Sequence, residues 1–170
     1  METVKTLACD LSLTGSALAV LIISNNKVAI EEIVFVDNKK NSKKGIGFRL
    51  NNIAKHLTDL LNKHKDIEGV VRERGFSKFP TITQTLFRVV GVADLTIYKQ
   101  GFDVVMADIP PTTVKKLVAG KGKAQKFEVE LGVRDWLVEH QKQYEFETDD
   151  CSDAVAVGIA WAIQKGLLVE

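Results

Sequence analysis

Three stretches of strand character follow one another before the chain offers its first helix. Val4–Leu11 is a nearly continuous apolar run, the pattern of a strand buried on both faces. Gly15 marks a turn, and Ser16–Ile23 is aliphatic and β-branched enough for a second strand. Asn25-Asn26 is a hairpin signal, and Val28–Val36 supplies a third strand. An antiparallel meander at the start commits the chain to a sheet-centred fold. The rest of the sequence then alternates. Leu50, Ile53, Leu57, Leu60 and Leu61 form a helical stripe within Ile46–His64, and Ile67–Arg72 is a short strand. Thr83–Tyr98 places Leu86, Val89, Val90, Ala93 and Ile97 on one helical face, with Gly91 allowing close approach. Phe102–Ala107 reads as a fifth strand, and Pro110-Pro111-Thr112 as a stop followed by a helix start. Val114–Val118 predicts a short helix, Ala119–Lys123 a turn and Ala124–His140 a longer helix. A final helix, which the Thr148 hydroxyl can cap, runs through Ile163. The expected fold class is α/β: one domain over 1–170, a mixed five-stranded sheet with helices on both faces.

The chain's 170 residues suit one domain, and 45 % apolar with 26 % charged residues excludes collagen-like, disordered and disulfide-framework classes. Leu11–Asn26 is the longest uncharged run, but Ser, Thr and Asn interrupt it. It falls short of the about 20 apolar residues that span a bilayer. No membrane partner is expected, and no signal peptide is evident. Cys9 and Cys151 are too few to staple a fold of this size, so a reducing cytoplasm is the expected location.

Net charge says little until it is mapped. Lys and Arg total 23 against 22 acids. Asn38–Arg49 holds Lys39, Lys40, Lys43, Lys44 and Arg49 without an acid. Thr112–Lys126 holds Lys115, Lys116, Lys121, Lys123 and Lys126, also without one. Setting these ten aside leaves 13 cations against 22 anions. Two basic segments on an acidic body predict a footprint for a polyanion, although solvated lysine loops would give the same composition.

Carboxylates stand where apolar residues would be cheaper. Asp10 ends a strand that is apolar on both faces, and Glu73 follows Gly69-Val70-Val71-Arg72. Asp150 and Asp153, three apart, share one face in the first turn of the last helix, beyond which the sequence is almost wholly apolar. Each acid has an ordinary explanation alone: Asp149 and Asp150 complement the helix dipole, and Glu73 could pair with Arg72 or Arg74. Together, if the sheet gathers them, four anions repel unless hard cations intervene. An all-oxygen ligand set suits Mg²⁺ or Mn²⁺.

These motifs resemble the RuvC-type Holliday junction resolvases, which have an RNase H-like fold. Leu7-Ala8-Cys9-Asp10-Leu11-Ser12-Leu13-Thr14-Gly15 is similar to their first strand and turn. Glu73-Arg74-Gly75-Phe76 is similar to their second acidic motif, the segment from Pro111 to Lys126 to their basic motif, and Asp150-Cys151-Ser152-Asp153-Ala154 to their C-terminal pair of aspartates. The match spans essentially the whole chain in order, and its length and lysine-rich loop look most like the phage-encoded members.

The resemblance implies a homodimeric, metal-dependent endonuclease that nicks opposed strands of four-way DNA junctions, and forks or flaps as further substrates, leaving 5′-phosphates. Asp10, Glu73, Asp150 and Asp153 would hold two Mg²⁺ ions, with Mn²⁺ as a substitute and Asp10 bridging. Lys115 and Lys126 would hold phosphates near the scissile bond, with Lys126 counted among the catalytic residues. Phe76 would stack on bases at the branch point. Lys116, Lys121, Lys123, Lys39, Lys40, Lys43 and Lys44 complete the expected DNA-binding set. The helix Thr83–Tyr98 resembles the family's dimer helix, though its stripe would equally serve a monomer's core.

Two departures stand out. Leu11-Ser12 replaces the family's Pro-Gly after the first aspartate, and Arg72 replaces an isoleucine-like residue before the second acid. The competing readings are a non-catalytic branched-DNA-binding protein that keeps the fold, and a nucleotide-dependent phosphotransferase, which would need a second lobe. The histidines His56, His64 and His140 are expected to face solvent, Cys9 and Cys151 to be buried packing residues, and Trp136 and Trp161 to anchor the core.

Overall fold

The computed structural model describes residues 3–75 and 77–169. Its sheet has five strands: β1 (Val4–Asp10), β2 (Gly15–Ser24), β3 (Lys27–Asp37), β4 (Gly69–Glu73) and β5 (Ala107–Ile109). The spatial order is β3-β2-β1-β4-β5. β1, β2 and β3 pair antiparallel, while β4 runs parallel to both β1 and β5. The meander closes at Asn25 and Asn26, with φ of 51° and 57°, the left-handed pair that a two-residue type I′ hairpin requires.

Helices α1 (Ile46–Lys63) and α2 (Pro80–Lys99) cover one face. Helices α3 (Pro111–Ala119), α4 (Lys126–Trp136) and α5 (Asp149–Gln164) cover the other. The alternation along β1 sorts the core. Leu7 and Cys9 pack with Ile53, Leu57 and Ile97 beneath α1 and α2, whereas Ala8 packs with Val155 and Ile159 of α5. Helix α5 lies so close to the sheet that a Cβ on Gly158 would stand 2.3 Å from Leu21 Cδ1. The expected mixed sheet with helices on both faces is present. Among the described residues, no helix is long and apolar enough to cross a membrane.

Several expectations need correction. Phe102–Ala107 is not a strand. Phe102, Val104 and Met106 alternate because they pack against the α1/α2 core, and ladder pairing begins only at Ala107 opposite Val71. The helix expected over Ala124–His140 ends at Trp136. Val138 N–H donates to Val28 O (2.9 Å), and Leu137 makes a bridge with Val28, which pulls the chain into an extended path. The Thr148 hydroxyl does not cap α5; it contacts Cys151 Sγ at 3.4 Å. His64 is buried rather than solvent-facing, with its Nε2 2.7 Å from Glu32 Oε2. Trp161 is buried, while Trp136 is only partly so. Cys9 and Cys151 are buried in the two different cores, on opposite faces of the sheet.

Candidate metal centre and phosphate cleft

The parallel pairing of β1 with β4 brings Asp10 and Glu73 to the same end of the sheet, with Cys9 opposite Arg72. Asp10 follows the parity of Ala8, and Glu73 that of Val71, so both point toward the face covered by α3, α4 and α5. Helix α5 begins at that same end. One carboxylate oxygen each of Asp10, Asp150 and Asp153 can be chosen so that all three lie within 4.8 Å of one another. Glu73 stands outside this triad but lines, with Asp153, Lys115 and Lys126, a cleft of about 200 Å³ floored by Val114, Val129 and Ala156.

Electrostatics record the crowding. Burial, followed by the charges of Glu73, Asp150 and Asp153, pushes the Asp10 carboxyl up to about 7, and Lys126 only partly opposes this. Glu73 is raised by burial and by Asp153, against Lys115 and Lys126. Asp153 is likewise raised chiefly by burial, while Lys126 pulls it down. Lys126 Nζ lies 3.5 Å from oxygens of both Asp153 and Asp149. Burial disfavours its charge, but the two acids outweigh that and raise its pKa. Converging oxygen donors that burden one another with negative charge fit a hard divalent cation.

Two features that positional reading missed shape the site. The turn after Asp10 is held by serines instead of Pro-Gly. Ser12 Oγ donates to Gly15 O (2.8 Å) and accepts from Gly15 N–H (3.0 Å). Ser16 Oγ donates to Ser12 O (2.7 Å) and accepts from Ser12 N–H (3.0 Å). Gly15 is also a packing requirement: a Cβ there would meet the Phe35 ring at 2.9 Å and Asp150 Oδ2 at 3.7 Å. The Ser-x-x-Gly spacing after Asp10 carried the turn signal, but the approach of Asp150, far along the chain, had no local trace.

The lysines divide. Lys115 and Lys126 line the cleft, Lys116 and Lys123 are exposed, and Lys121 is engaged in an ion pair with Glu128. Lys39, Lys40, Lys43 and Lys44 are exposed on the connection from β3 to α1, away from the cleft lining. That connection starts beside the first turn, where Asn38 N–H donates to Thr14 O (3.0 Å). Phe76, the expected stacking residue, lies outside the described residues.

A mixed sheet whose β1, β4 and covering helix deliver acids to one end has the layout of the RNase H-like class. The chain belongs to the RuvC family: the pattern described as "Crossover junction endodeoxyribonuclease RuvC" matches residues 10–161. A relative of that name from Ehrlichia ruminantium is 32 % identical over 156 residues, covering 88 % of this chain and 91 % of the relative. Another, from Azorhizobium caulinodans, is 30 % identical over 118 residues, covering 69 % of this chain and 66 % of the relative. The fold superimposes on T. thermophilus RuvC in complex with Holliday junction substrate with a TM-score of 0.81. That match has 20 % identity and covers 95 % of this chain and 94 % of the other.

Proposed function

We propose that this chain is a structure-selective endonuclease that resolves four-way DNA junctions by hydrolysing phosphodiesters, with forks and flaps as further substrates. The observation that carries this reading is the meeting of Asp10, Asp150 and Asp153 beside a cleft that Glu73, Lys115 and Lys126 line. In this reading Asp10, Glu73, Asp150 and Asp153 would hold two Mg²⁺ ions, with Mn²⁺ able to substitute. Bound there, the ions would activate water and stabilise the leaving oxygen.

The protein's own groups do the rest. Lys115 and Lys126 seat the phosphate as point charges at the mouth of the cleft. The apolar floor of Val114, Val129 and Ala156 limits water and strengthens those charges. The exposed lysines Lys116, Lys123, Lys39, Lys40, Lys43 and Lys44 extend the track along the DNA arms. Lys121 joins them on release from Glu128, and Phe76 stacks at the branch point.

We further read the working unit as a homodimer. The predicted stripe of Val89, Val90, Ala93 and Ile97 is buried within the monomer, and Phe87, Leu95 and Tyr98 are left exposed on α2 around the open Gly91. Two such copies would present two cleavage sites to a two-fold junction. The buried, unbridged cysteines support a reducing cytoplasm. The lysine-rich connection from β3 to α1 is the one feature that favours a phage-encoded origin, and the relatives described above are bacterial.

The test is cleavage of a mobile four-way junction by purified protein with Mg²⁺. Paired symmetric nicks are expected from the wild type and none from Asp10→Asn or Glu73→Gln. Wild-type rates from either variant would refute the site. Binding without nicking by the wild type would favour the non-catalytic reading instead.

A further inference from the structure

On the face of β4 opposite the acid cleft, a charged cluster sits where the sheet would ordinarily be apolar. Arg72 follows the parity of Val70, which packs beneath α1 and α2, and its side chain is only 11 % exposed. Directly opposite in the ladder stands Asp108 of β5. Asp108 accepts from Arg72 Nη2 (3.4 Å) and takes two bonds from Arg74, Nε to Oδ2 at 3.0 Å and Nη2 to Oδ1 at 2.9 Å. Arg72 Nη1 also donates to the main-chain carbonyl of Glu73 (3.1 Å), and Arg74 N–H donates to Ile109 O (2.8 Å). Thus the residues on both sides of Glu73 are tied to one carboxylate, and Glu73's own peptide is tied to one of them.

We propose that Asp108 is a positioning residue for Glu73: by clamping Arg72 and Arg74 it fixes the end of β4, so that the Glu73 carboxylate stays aimed across the cleft at Asp153. The proposal rests on the reading that Glu73 serves the cation site. Three features favour positioning over simple stabilisation. β5 is only three residues long, so its ladder alone is a weak brace for the strand end. Arg74 is more than half exposed, and an exposed ion pair adds little to global stability, so its two-pronged geometry has more to do with orientation. A buried guanidinium is costly unless paired, and Arg72 spends its contacts on Asp108 and on the Glu73 carbonyl. The Arg72 departure from the family pattern is therefore matched by a partner on the neighbouring strand.

The experiment compares wild type, Asp108→Asn, Asp108→Glu, Glu73→Gln and the Asp108→Asn/Glu73→Gln pair. Mn²⁺ binding to the protein alone, thermal melting, and junction nicking with Mg²⁺ are measured. Asp108→Asn is expected to weaken Mn²⁺ binding and lower kcat by about 10-fold, the scale of outer-sphere partners of a metal ligand. Asp108→Glu is expected to recover part of both. In the Glu73→Gln background the Asp108→Asn change is expected to add nothing to the Mn²⁺ defect, because the two act through one group. A lowered melting temperature with Mn²⁺ binding and kcat intact would overturn positioning, as would an undiminished Mn²⁺ penalty in the Glu73→Gln background. Should Asp108→Asn not fold, Arg74→Gln leaves the Arg72–Asp108 contact in place and is expected to lower Mn²⁺ affinity to a smaller degree. Unchanged affinity there would overturn the proposal. Wild-type nicking by Glu73→Gln is a different result, for it removes the site reading itself.

Discussion

Lys126 Nζ stands 3.5 Å from Asp153 Oδ2, so the lysine at the start of α4 and the aspartate on α5 are partners before any DNA arrives. The same ammonium reaches Asp149 and lowers the proton affinity of Asp10, Glu73 and Asp153. A backbone phosphate approaching the cleft meets a cation already poised beside the acids.

Replacing Lys126 with Met therefore has two expected effects. Junction binding weakens with a salt slope shallower by about one unit, the signature of one lost phosphate contact. Nicking at neutral pH falls and partly recovers at higher pH, because acids that lose their counter-charge need a lower proton activity to ionise. Binding measured across a salt series, with a pH–rate profile, checks both.

The metal-free protein should lose stability as pH rises toward neutrality. Asp10 titrates at about 7 in the fold against 3.8 ordinarily, so between those values the folded state holds more protons than the unfolded one. Its contribution is complete at low pH and declines as pH climbs through about 7, on the order of a few kcal/mol. Glu32 and Asp108, held low mainly by Lys63 and Arg74 respectively, act oppositely but only on acidification below their ordinary range. Thermal melts in EDTA from about pH 5.5 to about pH 7.5 are expected to show a falling Tm. Asp10→Asn should flatten that fall and melt higher than wild type at the upper end. Added Mg²⁺ should restore the wild type alone, by mass action.

Gly15→Ala tests the approach of Asp150 to the first turn. The added methyl would meet the tip of the partly buried Phe35 ring at 2.9 Å, so the ring must shift to admit it. A loss of about 1–3 kcal/mol in chemical denaturation is expected, together with reduced nicking. Phe35→Leu in the same chain should recover both.

Leu95→Glu tests the exposed side of α2. Leu95 is 53 % exposed, so a charge there should leave the monomer's stability within about 0.5 kcal/mol. Sedimentation is expected to show the wild type as a dimer and the variant as a monomer. A wild type that sediments as a monomer at assay concentration would remove the dimer reading.

Much of this architecture was legible because its signals are local. The Asn25-Asn26 turn, the α1 stripe and the Pro111 start of α3 each depend on neighbours in the chain. The acids were legible for a related reason, since Asp10 at the end of an apolar strand is anomalous wherever the sheet places it. What escaped was set by distant partners. Phe102, Val104 and Met106 carry strand periodicity but spend it on packing against the α1/α2 core. α4 stops early because Val138 is recruited by Val28. His64 looks like a helix-end histidine until β3 brings Glu31 and Glu32 beside it. Arg72 looked like an isolated oddity because its partner, Asp108, is 36 residues away.

Helix α5 brings two of the acids, and it is the final element along the polypeptide. The same helix is buried along most of its length and fills the core between α3, α4 and the sheet. Completing that core and completing the acid cluster are therefore one event: a chain ending before residue 149 would lack Asp150 and Asp153 and would also leave one face of its sheet uncovered.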